Sequence, residues 1–295
     1  MNTNRSNRPW KFLSKLNSAA VGAAISAASL LSFSSGSQCQ ANIILNNGNS
    51  SVTIDPTASA GVENWNINGQ NQINQEWFWY RAGSSGPESS IDTLGGTSAV
   101  YDTTGNGEND TAVLTYGSSS GLKITVTYRL SGGQIGSKTS DLGETIQIAN
   151  DGKSSQTYSF FEYENFNLDG LTTGQSASIS GKNTATVSGN GWQEQTTVSP
   201  KATDFDAATD PTLLNKLTTA SDYTLPNVAT SGPGDVEGGF EWTVSIMGGC
   251  SYEISGDQII TGQTVSAVPE PAAAPLAAIA LGGLLMARPR KRPAI

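Results

Sequence analysis

The feature that most constrains this chain is a two-residue rhythm of apolar side chains. Leu122, Ile124, Val126, Tyr128 and Leu130 are apolar, while Lys123, Thr125, Thr127 and Arg129 between them are polar. Side chains on a strand alternate between faces, so this run reads as a strand with one face on a core and the other in water. Similar runs occupy residues 51–54, 75–81, 112–116, 145–149, 156–163, 177–179, 184–187, 192–198, 239–247, 251–254 and 258–261. Gly-, Asn- and Ser-rich punctuation separates them, as in Asn46-Asn47-Gly48-Asn49 and Gly117-Ser118-Ser119-Ser120-Gly121. Many short strands with such turns predict an all-β fold, an antiparallel β-sandwich of jelly-roll or enlarged immunoglobulin-like type, with an open barrel as the alternative. One short helix is expected in a connection, over 212–217, with Asp210 as cap and Pro211 in its first turn.

The chain has no histidine and only two cysteines, Cys39 and Cys250. Ser-His-Asp and Cys-His catalysis and His-ligated metal sites are therefore excluded. Carboxyl, hydroxyl and aromatic groups remain for chemistry. Cys250, after Met247-Gly248-Gly249, is expected to be a small buried residue at a strand turn.

Three segments of the body are candidate sites. Glu162 and Glu164 share one strand face about 7 Å apart, with Phe160 and Phe166, a spacing that a carboxyl-pair glycosidase could use. The competing expectation turns both glutamates to solvent while Phe161 and Tyr163 pack inward. Asp102, Asn106 and Asp110 stand in a Gly-interrupted acidic loop that begins like a calcium loop, although Val113 occupies the position where such loops place a closing Glu. A loose Ca2+ site is one reading, and an exposed Asn-Gly turn the other; no other cofactor is indicated. Trp77 and Trp79 fall on one face of a strand, where exposed rings could stack on sugar and bind carbohydrate. A strand that is aromatic on both faces can equally be buried twice over.

The two ends are different. Arg5, Arg8, Lys11 and Lys15 precede an apolar run at 19–33 and the small-residue pair Cys39 and Ala41, the layout of a signal peptide over 1–41 cleaved by signal peptidase. At the other end Pro269-Glu270-Pro271 opens onto an apolar stretch, 272–287, followed by Arg288, Arg290, Lys291 and Arg292. Its 16 residues would span about 24 Å as a helix, and the basic cluster would stay cytoplasmic. The order of these parts resembles the PEP-CTERM sorting domain. The resemblance covers 269–295 alone and implies removal of the tail by a membrane exosortase and delivery to the cell surface.

These readings give a signal peptide (1–41), a β-sandwich body (42–260), a linker (261–268) and a sorting signal (269–295), with a transient membrane anchor. Residues 42–271 hold 8 basic residues against all 25 acidic ones, a formal charge of −17. Such a body repels nucleic acid. The expected function is that of a non-enzymatic structural or adhesive surface protein. The alternative is a carbohydrate-binding module or carboxylate-dependent glycosidase acting on extracellular polysaccharide.

Overall fold

The computed structural model describes residues 41–219 and 222–263. In chain order the strands are β1 (Ile43–Asn47), β2 (Ser50–Asp55), β3 (Gly61–Ile67), β4 (Gln70–Asn71), β5 (Ile73–Ala82) and β6 (Ser89–Ser90). Then come β7 (Gly96–Tyr101), β8 (Thr111–Gly117), β9 (Leu122–Gly132), β10 (Thr139–Asn150), β11 (Gln156–Phe166) and β12 (Gln175–Ser180). After these run β13 (Thr184–Gly189), β14 (Trp192–Ser199) and β15 (Asp204–Thr209). The helix α1 (Thr212–Thr218) precedes β16 (Thr230–Gly234), β17 (Val236–Ile246) and β18 (Cys250–Gly262).

The strands form two nine-stranded sheets. Sheet A runs β1-β2-β3-β5-β11-β17-β15, with β4 and β6 as side pairs; sheet B runs β16-β12-β13-β14-β18-β10-β9-β8-β7. Pairing between strands is antiparallel except where β3 touches β5. The sheets pack face to face. Phe78 of sheet A lies against Tyr128 of sheet B with ring centroids 6.4 Å apart, and Trp65 Nε1 donates to Ser140 Oγ across the gap at 2.9 Å. The expected alternation holds in β9, where Ile124, Val126, Tyr128 and Leu130 are buried. All-β architecture, two antiparallel sheets and one short helix are thus as the sequence predicts.

Several local expectations are corrected. The helix forms, but Asp210 does not cap it; its carboxyl accepts a hydrogen bond from Asn165 Nδ2 at 2.9 Å instead. Cys250 is exposed at the start of β18 rather than buried, because it is the outward residue of the tight turn from Met247. The two short strands expected at 251–254 and 258–261 are one continuous strand, β18, paired along its length with β10. Gly256-Asp257 reads as a turn in sequence, yet Gly256 lies in mid-strand opposite Glu144. A Cβ there would come 3.3 Å from Glu144 Oε2, so the glycine clears room for a buried carboxyl.

The expected signal peptide and C-terminal membrane helix at 272–287 lie outside the described residues, as do Cys39, Pro269, Glu270, Pro271, Arg288, Arg290, Lys291 and Arg292. Among the described residues no helix is long and apolar enough to cross a membrane. The expectation of a membrane-anchored intermediate is corrected to this extent: the described residues give it no support, and the sorting resemblance rests on its sequence motif alone.

Candidate functional site

Glu162 and Glu164 do share a face of β11, but that face is the interior of the sandwich, and both are 1% exposed. Phe161 and Tyr163, on the opposite face, are buried as well, so the strand has no solvent side here. Glu76 of β5 joins the two glutamates from sheet A; Glu144 of β10 and Glu194 of β14 meet them from sheet B. Thr196 Oγ lies 2.7 Å from Glu164 Oε2 and 2.7 Å from Glu194 Oε1. Glu76 and Glu144 approach one another from the two sheets, while Tyr128 donates to Glu76 at 3.3 Å and Gln258 to Glu144 at 3.3 Å. Burial raises all five carboxyl groups above the usual range. In Glu144, Glu162 and Glu194 the neighbouring acids raise them further, whereas hydrogen bonding to Thr196 draws Glu164 back to about 7.

This interior cluster lies between the two sheets; a group on the outer face of sheet A is buried as deeply, but what covers it is the connecting chain at Leu213, Leu214, Tyr223 and Leu225. The sequence signal of the interior cluster was glycine: Gly238 pairs with Glu164, and a Cβ there would come 3.1 Å from Glu164 Oε1, much as Gly256 clears Glu144.

The outer face of sheet A carries a second polar group, set one residue out of phase with the first. Alternation in β5, β11 and β17 turns Arg81, Ser159, Tyr163, Glu237, Gly239 and Glu241 away from the sandwich interior. Arg81 reaches Glu88 in an ion pair, Asp222 at 3.1 Å, Glu241 at 3.8 Å and Ser159 at 3.1 Å, and stands over the Phe161 ring. The chain after β15 lies over this face and hands it backbone N–H groups. Glu237 accepts from Leu213 and Leu214, Glu88 from Tyr223, and Glu241 from Leu225. Close approach of α1 depends on Gly239, where a Cβ would come within 2.9 Å of Leu213 Cδ2.

Within this group Asp206 of β15 pairs with Gly239, placing Glu237 and Glu241 on its two diagonals, about 7–8 Å away. Tyr223 donates to Asp206 at 3.4 Å and Tyr163 to Glu237 at 3.1 Å. Burial pushes Glu237 up to about 7, against the hydrogen bonds from Leu213 and Tyr163. Burial raises Asp206 and Glu241 too, partly offset in Glu241 by the Leu225 N–H and Arg81. Sequence reading missed this group because its members come from four separate strands and two loops, with no local motif.

The other sequence candidates sit elsewhere. Trp77 and Trp79 are 0% and 1% exposed, so the expectation of exposed sugar-stacking rings is corrected. Trp77 Nε1 donates to Ser90 Oγ and Asp92, and its ring meets Tyr116 edge-on; Trp79 meets Tyr163 edge-on. In the acidic loop, Asp102 accepts the N–H groups of Gly105, Asn106 and Gly107. Asp110 accepts from Thr103 and Thr104, and Asn106 accepts from Glu108. Backbone donors therefore take up these oxygens in a self-closing turn. Burial pulls Asp110 upward, but hydrogen bonds from Thr103, Thr111 and Thr104 outweigh it and hold the carboxyl low. Among the described residues no set of three or more acidic or cysteine side chains is arranged to hold a metal ion.

No family model matches the chain, and no curated protein matches it. Solved structures do resemble it. A bacterial glucoamylase complexed with acarbose aligns with 79% of this chain at 10% identity and a TM-score of 0.50; the chain spans 33% of that protein's length. An Escherichia coli K12 protein described as an aldose 1-epimerase aligns at 8% identity and a TM-score of 0.51, over 76% of this chain and 99% of its own. The Slr1438 protein of Synechocystis sp. PCC 6803 aligns at 9% identity and a TM-score of 0.50, over 76% and 96%. At these identities the likeness is one of fold. The expectation of a non-enzymatic structural or adhesive surface protein is corrected to this extent: the glucoamylase and the protein described as an aldose 1-epimerase share the fold.

Proposed function

We propose that the chain is a carbohydrate-active enzyme that works by carboxyl acid–base chemistry at the anomeric carbon of neutral sugars, as a glycosidase does. The observation that carries the proposal is Glu237, buried on the outer face of sheet A, held near 7 and standing on a diagonal of Asp206. A carboxyl that keeps its proton close to neutrality can serve as general acid. The diagonal register sets the two backbone positions about 7–8 Å apart, from which the side chains can span the separation at which inverting glycosidases admit a water between acid and base. In this reading Glu237 protonates the leaving oxygen, Asp206 acts as base with Tyr223 orienting it, and Arg81 pairs with Glu241 on the other diagonal of Asp206. A chain without histidine leaves this work to carboxyl groups. The strongly acidic body disfavours anionic polysaccharide as substrate.

The fold likeness supports the proposal in one further respect. Two of the similar structures are matched over nearly their whole length, so the fold is complete by itself as well as part of a larger enzyme. The test is release of reducing ends from a panel of neutral oligosaccharides by the purified chain, with acarbose as a binding probe. Turnover that falls about 10²-fold or more in Glu237→Gln, with the fold intact, is expected. Turnover indifferent to Glu237→Gln and Asp206→Asn would refute the assignment.

A further inference from the structure

The interior glutamates take no part in the proposed chemistry, and their geometry requires protons. Thr196 has one hydroxyl hydrogen but touches a carboxyl oxygen of Glu164 and one of Glu194, each at 2.7 Å. It can donate to only one of them, so the other contact needs a proton on the carboxyl. Glu76 and Glu144 likewise bring two acceptors toward one another, an approach that is attractive only with a proton on one of them. Glu162 lies between these pairs with both oxygens buried and without a protein partner. An ionised carboxylate there would be an uncompensated buried charge.

The surroundings offer no other compensation. Facing the cluster are Glu76 from β5, Glu162 and Glu164 from β11, Glu144 from β10, Glu194 from β14 and the Tyr128 hydroxyl from β9, with Tyr116 of β8 behind it. The facing residues Gly238 and Phe240 of β17 and Gly256 and Gln258 of β18 do not titrate. Arg81, the one buried cation among the described residues, is on the opposite face of sheet A. Both proton-sharing contacts run from one sheet to the other, so losing a proton places repulsion across the seam that joins the two layers.

We infer that the two sheets are held together by a proton-dependent lock: the Glu76–Glu144 and Glu164–Thr196–Glu194 links each close on a shared proton, fitting the chain to acidic or neutral surroundings and loosening the sandwich in alkali. The sign follows from the direction of the shifts. Burial raises these groups in the folded chain above their unfolded values, so the stabilisation is complete below the unfolded range near 4.5 and disappears as pH rises through the folded values. Each proton released on unfolding makes the unfolding constant rise about tenfold per pH unit. The slope runs from the unfolded value near 4.5 up to each folded value: the Glu164 link gives about tenfold per unit up to about 7 and no more above it, while the Glu76–Glu144 link adds its own slope until its raised value is passed.

The experiment is urea unfolding of the full chain from pH 5 to pH 9, beside the double variant Glu76→Gln/Glu164→Gln. A glutamine amide supplies the missing hydrogen without titrating. The expected result is a loss of wild-type stability that is already under way from pH 5 to pH 7 and a shallower profile over that range in the variant. If the variant does not fold, infrared spectroscopy of the native wild type at neutral pD replaces it, with a protonated-carboxyl band expected that vanishes on unfolding. A wild-type profile flat from pH 5 to 9, or absence of that band, overturns the inference. So does stability at pH 8 that appears only with added Ca2+ and is lost to a chelator, since a cation would then be the compensating charge.

Discussion

Replacing Trp77 by alanine discriminates sharply between a ring that packs and a ring that waits for sugar. In the folded chain the indole is fully buried, meets Tyr116 at a centroid distance of 6.0 Å and donates from Nε1 to Ser90 at 2.8 Å. Gly61 opposite it has φ +58°, and a Cβ there would come within 2.2 Å of the indole, so backbone and ring are fitted to each other. Truncating a buried Trp costs about 3–5 kcal/mol, within which the edge-on aromatic pair accounts for about 0.5–1.5. Leaving Ser90 and Asp92 without their indole donor adds about 1 kcal/mol. The expected total is about 4–6 kcal/mol, which for a body of this size lowers Tm by about 10–20 °C. Trp77→Phe keeps the ring but not the N–H, and should recover most of that loss. The assay is calorimetric or fluorescence-detected thermal unfolding of the three proteins in parallel. A Trp77→Ala protein within about 1 kcal/mol of wild type would refute the packing described here.

Three further outcomes are expected. Gly239→Ala should set a methyl 2.7 Å from the Glu162 carbonyl oxygen and 2.9 Å from Leu213 Cδ2, straining the β11–β17 pairing as well as the seat of α1 and raising protease sensitivity around residue 213; limited proteolysis reads this directly. Arg81→Met should leave Glu88 and Glu241 buried without their cation, a loss of about 3–5 kcal/mol measurable by urea unfolding at pH 7. If Glu237 is the general acid, turnover should fall as pH rises through about 7, and the falling limb should be absent in Glu237→Gln.

Much of the fold was legible because period-two alternation reports a one-sided strand, and β9 and β14 show it cleanly. Strands β3 and β15 escaped notice because both of their faces are partly covered and Asn or Asp residues interrupt the apolar pattern. The same limit hid the buried acids. Glu162 and Glu164 look like surface residues in a sequence, since carboxyl groups seldom go inside. Only the glycines set opposite, Gly238 beside Glu164 and Gly256 beside Glu144, signal that room has been made for them. The Trp77–Trp79 pair was ambiguous in principle: aromatic rings on both faces of a strand fit an exposed platform or a doubly covered strand, and only the chain folded over sheet A decides between them. The outer-face group of Asp206, Glu237 and Glu241 had no local signature, because it is assembled by pairing strands distant in sequence.

The central claim is that the acid chemistry belongs to the outer face of sheet A and not to the sandwich interior. The most direct test is the kcat/KM of two isosteric variants, Glu237→Gln and Glu162→Gln, on the same neutral oligosaccharide at pH 5.5, about one unit above the ordinary glutamate value. The account predicts a loss of about 10²-fold or more in Glu237→Gln and near wild-type turnover in Glu162→Gln. The reverse pattern would contradict it.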